Sequence, residues 1–177
     1  SKNCNEAAKE ISRLEGVKQV LVFDSEIYGK SLAEPLSELI ASLGENYTHI
    51  LAAATALGKN IMPRVAALLD VMVISDATAI LSSDTFERPI YAGNALQTVQ
   101  SSDPIKVCTI RTANFTLAAK GKTKADIKVL DPKSDPKLSK WIEDKIQESD
   151  RPELTSAKIV VSGGRGVGSK DDFEIIE

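Results

Sequence analysis

The sequence predicts an α/β protein: a three-layer, mostly parallel sheet with an antiparallel extension, followed by the first strand and glycine loop of a second α/β domain. Three short apolar runs are predicted to be strands, and the run at 49–54 lacks the alternation of a half-buried strand, which is typical of parallel strands covered on both faces. Helical segments with one apolar face separate the runs, and this succession indicates right-handed parallel crossovers. The apolar runs are residues 17–23, 49–54 and 71–75.

The first two helices are predicted from the residues at their ends. Asn5 can cap a first helix, and Gly16 follows it where a glycine commonly ends a helix. Ser31 and Glu34 have the spacing of a capping box, in which both side chains bind backbone N–H groups of the first turn. We therefore expect a second helix that starts at this box, buries a stripe of leucines and ends at Gly44.

A third helix is predicted over residues 60–69, after a Gly-Lys-Asn turn at 58–60. After Asp76 the helices cease and β-rich runs follow one another, which we interpret as an antiparallel excursion from the sheet. Gly93-Asn94 is a dipeptide of the kind that closes a hairpin in two residues. The β-rich runs are residues 85–92, 95–100 and 105–111.

The rest of the chain completes one predicted domain and opens another. Residues 112–134 are polar and lysine-rich, and we interpret them as a loop with a short extended piece at 127–130. Asp135 and the proline after it start a helix. We expect an N-terminal α/β domain over residues 1–148 and, over 149–177, a linker and the start of a second domain.

Composition excludes several classes of function. The 177 residues are 42% hydrophobic and 27% charged, as in a globular domain. A net charge of −3 and 5% aromatic residues argue against nucleic-acid binding, and no apolar run approaches the ~20 residues of a membrane-spanning helix. One histidine and two cysteines are too few for a zinc site, so we expect no metal and single out no catalytic residue. We expect Cys4 and Cys108 to be free thiols.

A glycine loop carries the strongest site prediction. We expect a strand at 158–161, the loop at 162–169 and a helix from Asp171, because such a loop brings backbone N–H groups close to a phosphate. A P-loop needs Lys and then Ser or Thr after its last glycine, and here the two occur in the opposite order. Arg165 is the candidate cofactor-binding residue, since its guanidinium can pair with a phosphate or a reduced anionic ring. The alternative is a tight turn with a solvated arginine.

Other candidate residues have ordinary structural explanations. Lys59 and Arg64 can bind an anion near the start of the third helix, although a solvated helix face explains them more simply. Asp24 and Asp76 end strands at the carboxyl edge of the sheet, where open α/β sheets bind ligands. Acidic residues also cap turns at that edge, which is the simpler interpretation. His49 begins a strand and is interpreted as structural.

Six segments spread along nearly the whole chain carry a family resemblance. They are residues 46–50, 58–67, 74–76, 88–95, 150–154 and 160–166. In this order they resemble the electron transfer flavoprotein alpha subunits, chiefly the mitochondrial ones, and residues 58–67 and 90–95 are the most specific. The family's N-terminal α/β domain begins with a strand ahead of this start, so we expect the first parallel strand to be missing here.

The resemblance implies the alpha subunit of a heterodimer that holds one FAD with a beta subunit and carries electrons without catalysing substrate chemistry. In the family, electrons come from acyl-CoA and related dehydrogenases of fatty acid beta-oxidation and leave to a membrane quinone oxidoreductase. The location implied is the mitochondrial matrix, or the cytoplasm of a bacterium. Of the family's FAD contacts only Arg165 carries over, so we expect this chain alone not to hold FAD. Two alternatives stay open: a nucleotide-dependent hydrolase or synthetase that uses the loop from Gly163 to Gly168, and a pure assembly module.

Overall fold

A computed structural model describes residues 2–145 and 159–176 of the chain. Its contacts divide the chain into two units, Ser1–Trp141 and Ile142–Glu177. The predicted boundary between residues 148 and 149 lies outside the described residues and stays a prediction, as does the predicted linker. The α-helices of the described part are α1 (Asn5–Ile11), α2 (Ala33–Gly44) and α3 (Ala56–Leu68).

The strands of the described residues form two parallel sheets and one antiparallel sheet. The strands are β1 (Gln19–Val22), β2 (His49–Ala53), β3 (Val73–Ala77), β4 (Ala79–Ile80), β5 (Thr85–Ile90), β6 (Ala95–Gln100), β7 (Lys106–Ile110) and β8 (Asp126–Val129). The parallel sheets have the orders β1-β8 and β2-β7-β3, and the antiparallel sheet has the order β4-β5-β6. The predicted α/β class with an antiparallel extension is therefore confirmed.

Strand β7 differs from its prediction. The interpretation of residues 105–111 as part of the antiparallel excursion is wrong, because β7 lies between β2 and β3 and pairs with both in parallel. Val107, Cys108 and Thr109 are all buried, as expected for a central parallel strand covered on both faces. The chain thus leaves the parallel sheet after β3, forms the antiparallel sheet, and returns to the centre.

The predicted caps of the first two helices are wrong. Asn5 is the first residue of α1, and Cys4 takes the N-cap position without a side-chain hydrogen bond. Ser31 lies before the start of α2 with a left-handed φ of 52°, and Leu32 is the N-cap. The capping box of Ser31 and Glu34 therefore does not form, because the turn before α2 holds Ser31 outside the capping position.

Helix α3 begins earlier than predicted. Thr55 is its N-cap, with a side-chain oxygen that accepts a hydrogen bond from the Gly58 N–H at 3.3 Å. The turn predicted at residues 58–60 is therefore wrong, because these residues lie within the helix. A Cβ atom at Gly58 would lie 2.0 Å from the carbonyl oxygen of Ala53. The glycine is needed because it lets the helix start close against the end of β2.

The hairpin prediction is confirmed, although its loop is longer than predicted. Strands β5 and β6 pair in antiparallel register up to Ile90 and Ala95. The connection comprises four residues, 91–94, and not a two-residue turn. Tyr91, Ala92 and Gly93 have positive φ values of 50°, 54° and 93°, a conformation that reverses the chain at a cost for the two residues that carry a Cβ.

Two buried clusters join these layers. The larger one packs one face of α3 onto the centre of the parallel sheet, with α2 beside it, and consists of Ile61, Met62, Val65, Ala66 and Val107. The second joins the antiparallel sheet to the parallel one and consists of Ile74, Ala77, Phe86 and Cys108. Arg88 strengthens this junction by donating hydrogen bonds to the Ser75 carbonyl at 3.0 Å and hydroxyl at 2.8 Å.

Towards the C-terminus several predicted elements are replaced by irregular backbone. The extended piece at 127–130 is confirmed as β8, which pairs with β1. No helix forms over the described residues after Asp135, so that prediction is wrong through residue 145. Lys137 has a left-handed φ of 55°, and Leu138 and Ile142 stay 65% and 81% exposed. A short amphipathic helix needs a surface that covers its apolar face, and these residues have none.

The second unit contains turns where a strand and a helix were predicted. Residues 159–161 form no strand, and each of them is more than half exposed. Among the described residues no neighbouring strand pairs with them, and a lone parallel strand is not stable. Lys158 lies outside the described residues. From Asp171 the chain forms a short 3₁₀ helix, Asp171–Ile175, in place of the predicted α-helix.

Candidate functional site

The carboxyl ends of β2, β7 and β3 enclose a crevice with a volume of about 240 Å³. Open parallel sheets place ligands at this edge, beyond the ends of their strands. The segment after β2 also starts helix α3, so the crevice has a helix start on one side and the end of β7 on the other. Its lining residues are Ala54, Thr55, Lys59, Asp76, Ile110, Arg111, Thr112 and Ala113.

An ion pair crosses the crevice. Arg111 donates two hydrogen bonds to Asp76, from Nε to Oδ1 at 3.2 Å and from Nη2 to Oδ2 at 2.5 Å. These hydrogen bonds are the main cause that holds the pKa of Asp76 below its usual value. Asp76 also has a left-handed φ of 59°, and its N–H donates to the buried Thr109 hydroxyl at 2.8 Å. The surrounding contacts therefore fix a strained residue at the edge of the sheet.

The charges of the crevice are unbalanced. Lys59 and Arg111 contribute two cations against the single carboxylate of Asp76. Among the described residues Arg111 is paired with that carboxylate, which leaves the ammonium group of Lys59 as the excess charge. This balance suits an anionic group, and anion binding by Lys59 stays the alternative to the simpler interpretation as a solvated helix face. Arg64 lies further along α3, where its Nε is buried without a hydrogen-bond partner in the described part of the chain.

Sequence reasoning missed Arg111. It follows the last residue of β7, and β7 was assigned to the antiparallel excursion, so its carboxyl end was not expected at this edge. Once β7 is placed between β2 and β3, the position directly after it becomes a candidate by the same rule that selected Asp76. The hydrophobic pattern of residues 105–111 predicts a strand, but it does not show which strands lie beside it in the sheet.

The remaining weak candidates are structural. Asp24 accepts a hydrogen bond from the Asn3 N–H at 2.9 Å and so joins the segment before α1 to the end of β1. The His49 ring lies 2.6 Å from the Ser83 carbonyl oxygen through Nε2, and joins β2 to the loop before β5. Cys108 is a free, buried thiol, and burial raises its pKa to about 11.

The glycine loop of the second unit folds on itself. A Cβ atom at Gly163 would lie 2.7 Å from Cγ2 of Val167, so the loop packing requires this glycine. The Ser169 N–H and hydroxyl both donate to Oδ2 of Asp172, at 3.0 and 2.8 Å. The hydrogen bond from the Ser169 hydroxyl is the main cause that lowers the pKa of Asp172. A carboxylate thus binds where a phosphate-binding loop would present its donors.

Arg165 begins a 3₁₀ turn, Arg165–Val167, and is exposed. Within the described residues its guanidinium forms no hydrogen bond or ion pair. A cavity of about 670 Å³ lies nearby, and its charged lining residues are Lys170, Asp171 and Glu174. Two carboxylates beside one lysine do not fit the pyrophosphate of FAD. Arg165 therefore stays the candidate flavin contact of this unit, and the expectation that this chain alone does not hold FAD stays a prediction.

Among the described residues no group of three or more His, Cys, Asp or Glu side chains is arranged to hold a metal ion. In the same part of the chain no helix is both long and apolar enough to cross a membrane.

Comparison with known proteins identifies the family. Residues 1–135 match the family described as the electron transfer flavoprotein domain. The chain belongs to this family. That match includes all of the sheets and the crevice, and it ends before the glycine loop. The resemblance seen in the sequence is confirmed.

Individual relatives extend the match along the chain. The electron transfer flavoprotein subunit alpha of Paracoccus denitrificans is 58% identical over 97% of this chain and 55% of the relative. The subunit alpha of Pseudomonas aeruginosa is 51% identical over 98% of this chain and 56% of its own length. The mitochondrial subunit alpha of Dictyostelium discoideum is 39% identical over 98% and 53%. The chain thus spans about half the length of these curated relatives.

Proposed function

We propose that this chain is part of the alpha subunit of a heterodimeric electron carrier that contains FAD. The observation that carries the proposal is the 58% identity to a protein named electron transfer flavoprotein subunit alpha, over 171 residues. The 171 aligned residues cover 97% of the chain, so the alignment continues beyond the domain match that ends at residue 135. A carrier of this kind accepts and passes on electrons, and the protein supplies the binding and tuning of the flavin.

The rival proposal, a hydrolase or synthetase that uses the glycine loop, loses its physical support. Such an enzyme needs the loop donors for nucleotide phosphates. In the loop from Gly163 to Gly168 and just after it, the Ser169 hydroxyl and N–H are instead bound to Asp172. A phosphate would have to displace a carboxylate that already has the same negative charge.

We assign Arg165 the role of a cofactor contact in the complete protein. Its guanidinium is exposed at the start of a turn and is not occupied by a carboxylate of the described residues. Arginine suits phosphate oxygens because its planar fork donates two parallel hydrogen bonds. We favour the pyrophosphate of FAD as its partner over the reduced ring. The remaining flavin contacts must come from elsewhere in the assembly.

The antiparallel sheet is the proposed contact with the beta subunit. Strand β6, Ala95–Gln100, is an edge strand with no charged residue. Edge strands of this kind pair readily with another chain unless a charge or proline protects them. Tyr91 and Leu96 at the hairpin end are 79% and 63% exposed, and their burial against a partner is favourable. This sheet is thus suited to a lasting subunit interface.

The redox partners we propose are acyl-CoA and related dehydrogenases as donors and a membrane quinone oxidoreductase as acceptor. This places the protein in the respiratory oxidation of fatty acids. The proposed location is the mitochondrial matrix, as the names of the eukaryotic relatives suggest, or the cytoplasm if the source is a bacterium.

Co-expression tests the proposal. The complete alpha chain that contains this sequence, purified with a beta subunit, should give a yellow complex with one FAD. A reduced acyl-CoA dehydrogenase should bleach its flavin absorbance, and the quinone oxidoreductase should restore it. Separate elution of two well-folded subunits, or a colourless complex that hydrolyses ATP, would contradict the proposal. An Arg165→Lys variant of the same complex tests the proposed FAD contact of Arg165, because lysine keeps the charge and loses the paired hydrogen bonds.

A further inference from the structure

A segment that consists of irregular backbone and one short strand, β8, crosses one side of the first unit. We call residues 119–141 the strap. Backbone groups fix its first half: the Gly121 N–H donates to the Arg13 carbonyl at 2.6 Å, and the Ala125 N–H donates to the Ser12 carbonyl at 2.7 Å. Strand β8 then pairs with β1 along its whole length. The backbone of this half therefore has a defined path over the molecule.

Side chains of the first unit fix the second half of the strap. The Tyr28 hydroxyl accepts a hydrogen bond from the Lys133 N–H at 3.0 Å, and Tyr28 itself is fully buried. The Ser139 hydroxyl donates to a carboxylate oxygen of Glu34 at 2.7 Å. At the end of the strap the ammonium of Lys30 lies 3.7 Å from the centroid of the Trp141 ring. The irregular backbone is thus tied down along its length.

The charged side chains of the strap are mainly cationic. Seven of its residues are lysines and three are aspartates, which gives a net charge of +4 in a chain whose total is −3. All seven lysines are exposed, and none forms an ion pair with another described residue. The lysines are Lys120, Lys122, Lys124, Lys128, Lys133, Lys137 and Lys140. Seven of the chain's 22 lysine and arginine residues therefore lie, exposed, in one segment whose backbone path is fixed.

The composition of the strap selects the kind of partner. It contains no arginine, the residue that binds phosphate groups in a bidentate manner. Its aspartates, Asp126, Asp131 and Asp135, interrupt the lysines and would repel a continuous row of phosphates. Strongly hydrated ammonium groups suit a weak, screened encounter with carboxylates. These features favour an acidic protein surface over a nucleic acid or an anionic membrane.

We propose that the strap is the docking surface for an acidic face of a redox protein partner. The inference rests on the proposed function, because a carrier must meet its partners often and leave them quickly. Charge complementarity raises association rates by factors of 10 to 10³ while adding little to the lifetime of the complex. A lysine surface held by backbone contacts provides this steering with little loss of conformational freedom on contact.

Charge reversal in the assembled heterodimer with FAD tests the inference. The triple variant Lys122→Glu, Lys124→Glu and Lys128→Glu changes the net charge of the strap from +4 to −2. Stopped-flow flavin absorbance then gives the second-order rate constant for reduction by an acyl-CoA dehydrogenase and for reoxidation by the quinone oxidoreductase. We expect at least one of these constants to fall about tenfold at low ionic strength. The difference between the rate constants of the variant and of the unsubstituted complex should shrink as added salt shortens the Debye length.

Substitution of the same three lysines by arginine is the matched control, since it keeps every charge. Circular dichroism and flavin content must agree between the two variants, and those readouts do not depend on docking. Equal rate constants for the glutamate and arginine variants with both partners would overturn the inference alone. The inference would also be overturned if the arginine variant, but not the glutamate variant, bound vesicles containing anionic phospholipid while the rate constants with both protein partners were unchanged. An unsubstituted complex that accepts no electrons at any salt concentration would instead refute the proposed function, and the inference with it.

Discussion

The contact between helix α3 and strand β2 gives a sharp stability prediction. A Cβ atom at Gly58 would lie 2.0 Å from the Ala53 carbonyl oxygen, whereas Cβ atoms essentially never come closer than 3.0 Å to such an atom. Both groups belong to the backbone, so no side-chain rotation relieves the clash. The helix start and the strand end would have to separate by 1.0 Å.

We expect Gly58→Ala to lower the free energy of unfolding by about 2–3 kcal/mol, the size of an overpacked core site. Alanine favours helix by at most about 1 kcal/mol over glycine, which offsets part of the clash. Because the displaced segment carries Thr55 and Lys59, the crevice at the edge of the sheet should also change shape.

Gly44→Ala is the matched control, since Gly44 is also a buried glycine of a helix. The nearest atoms to a Cβ there are Leu69 Cδ1 at 3.0 Å and Ile50 Cδ1 at 3.1 Å. These are ends of side chains that can turn away, so we expect a change within about 1 kcal/mol. Urea unfolding of the two variants, followed by far-UV circular dichroism, measures the difference. A Gly58→Ala chain as stable as Gly44→Ala, with equal m-values, would refute the reasoning.

Further predictions concern thiol reactivity, acid stability and the flavin. In the native chain an aromatic disulfide reagent should modify Cys4 quickly and Cys108 only after unfolding, because burial raises the Cys108 pKa to about 11; two rapidly reacting thiols would contradict this. Hydrogen bonds from Ser82, and then from Gln100 and Thr85, hold the pKa of Asp84 well below its usual value. Its stabilising contribution should therefore be present above the unfolded pKa of about 4 and be lost as the pH falls further. Unfolding measured against pH should show Asp84→Asn destabilised at neutral pH and converging with the unsubstituted chain in acid, and a difference independent of pH would count against the assignment. In the complete heterodimer Arg165→Ala should weaken FAD retention by about 1.5–3 kcal/mol with an unchanged flavin potential, whereas a shifted potential at unchanged retention would indicate a contact with the ring. FAD added to this chain alone should leave its melting temperature unchanged, since only a ligand of the native state raises it; a stoichiometric yellow complex would show the opposite.

The order of strands and helices could be predicted because each is encoded locally. The apolar run of β2 and the apolar face of α3 are visible in their own residues. The position of β7 in the sheet could not be predicted, because the apolar pattern of a buried strand shows that both of its faces are covered but not which strands pair with its edges. Arg111 was missed for the same reason. Its role depends on the neighbour of β7, which is a property of the fold and not of the segment.

The sequence patterns that mark helix starts gave wrong predictions where distant contacts decide the conformation. Ser31 and Glu34 have capping-box spacing, yet Glu34 accepts a hydrogen bond from Ser139, far along the chain. The residues after Asp135 have a helical pattern, yet contacts with the first unit hold the chain on either side of Asp135: the Lys133 N–H donates to the Tyr28 hydroxyl, and the Ser139 hydroxyl donates to Glu34. Local propensity differs by at most about 1 kcal/mol among ordinary residues. A few long-range hydrogen bonds of similar size are enough to override it.

The two surfaces proposed for partners differ in the chemistry that sets the lifetime of a complex. The edge of β6 offers unpaired backbone groups next to exposed apolar side chains, Tyr91 and Leu96, and burial of such groups gives slow dissociation. The strap offers ammonium groups that stay hydrated, which speeds association and leaves dissociation fast. A carrier needs both, because its subunits must remain together while its redox partners exchange. The sequence places these surfaces in separate segments, 95–100 and 119–141, so charge changes in the strap should leave subunit assembly intact.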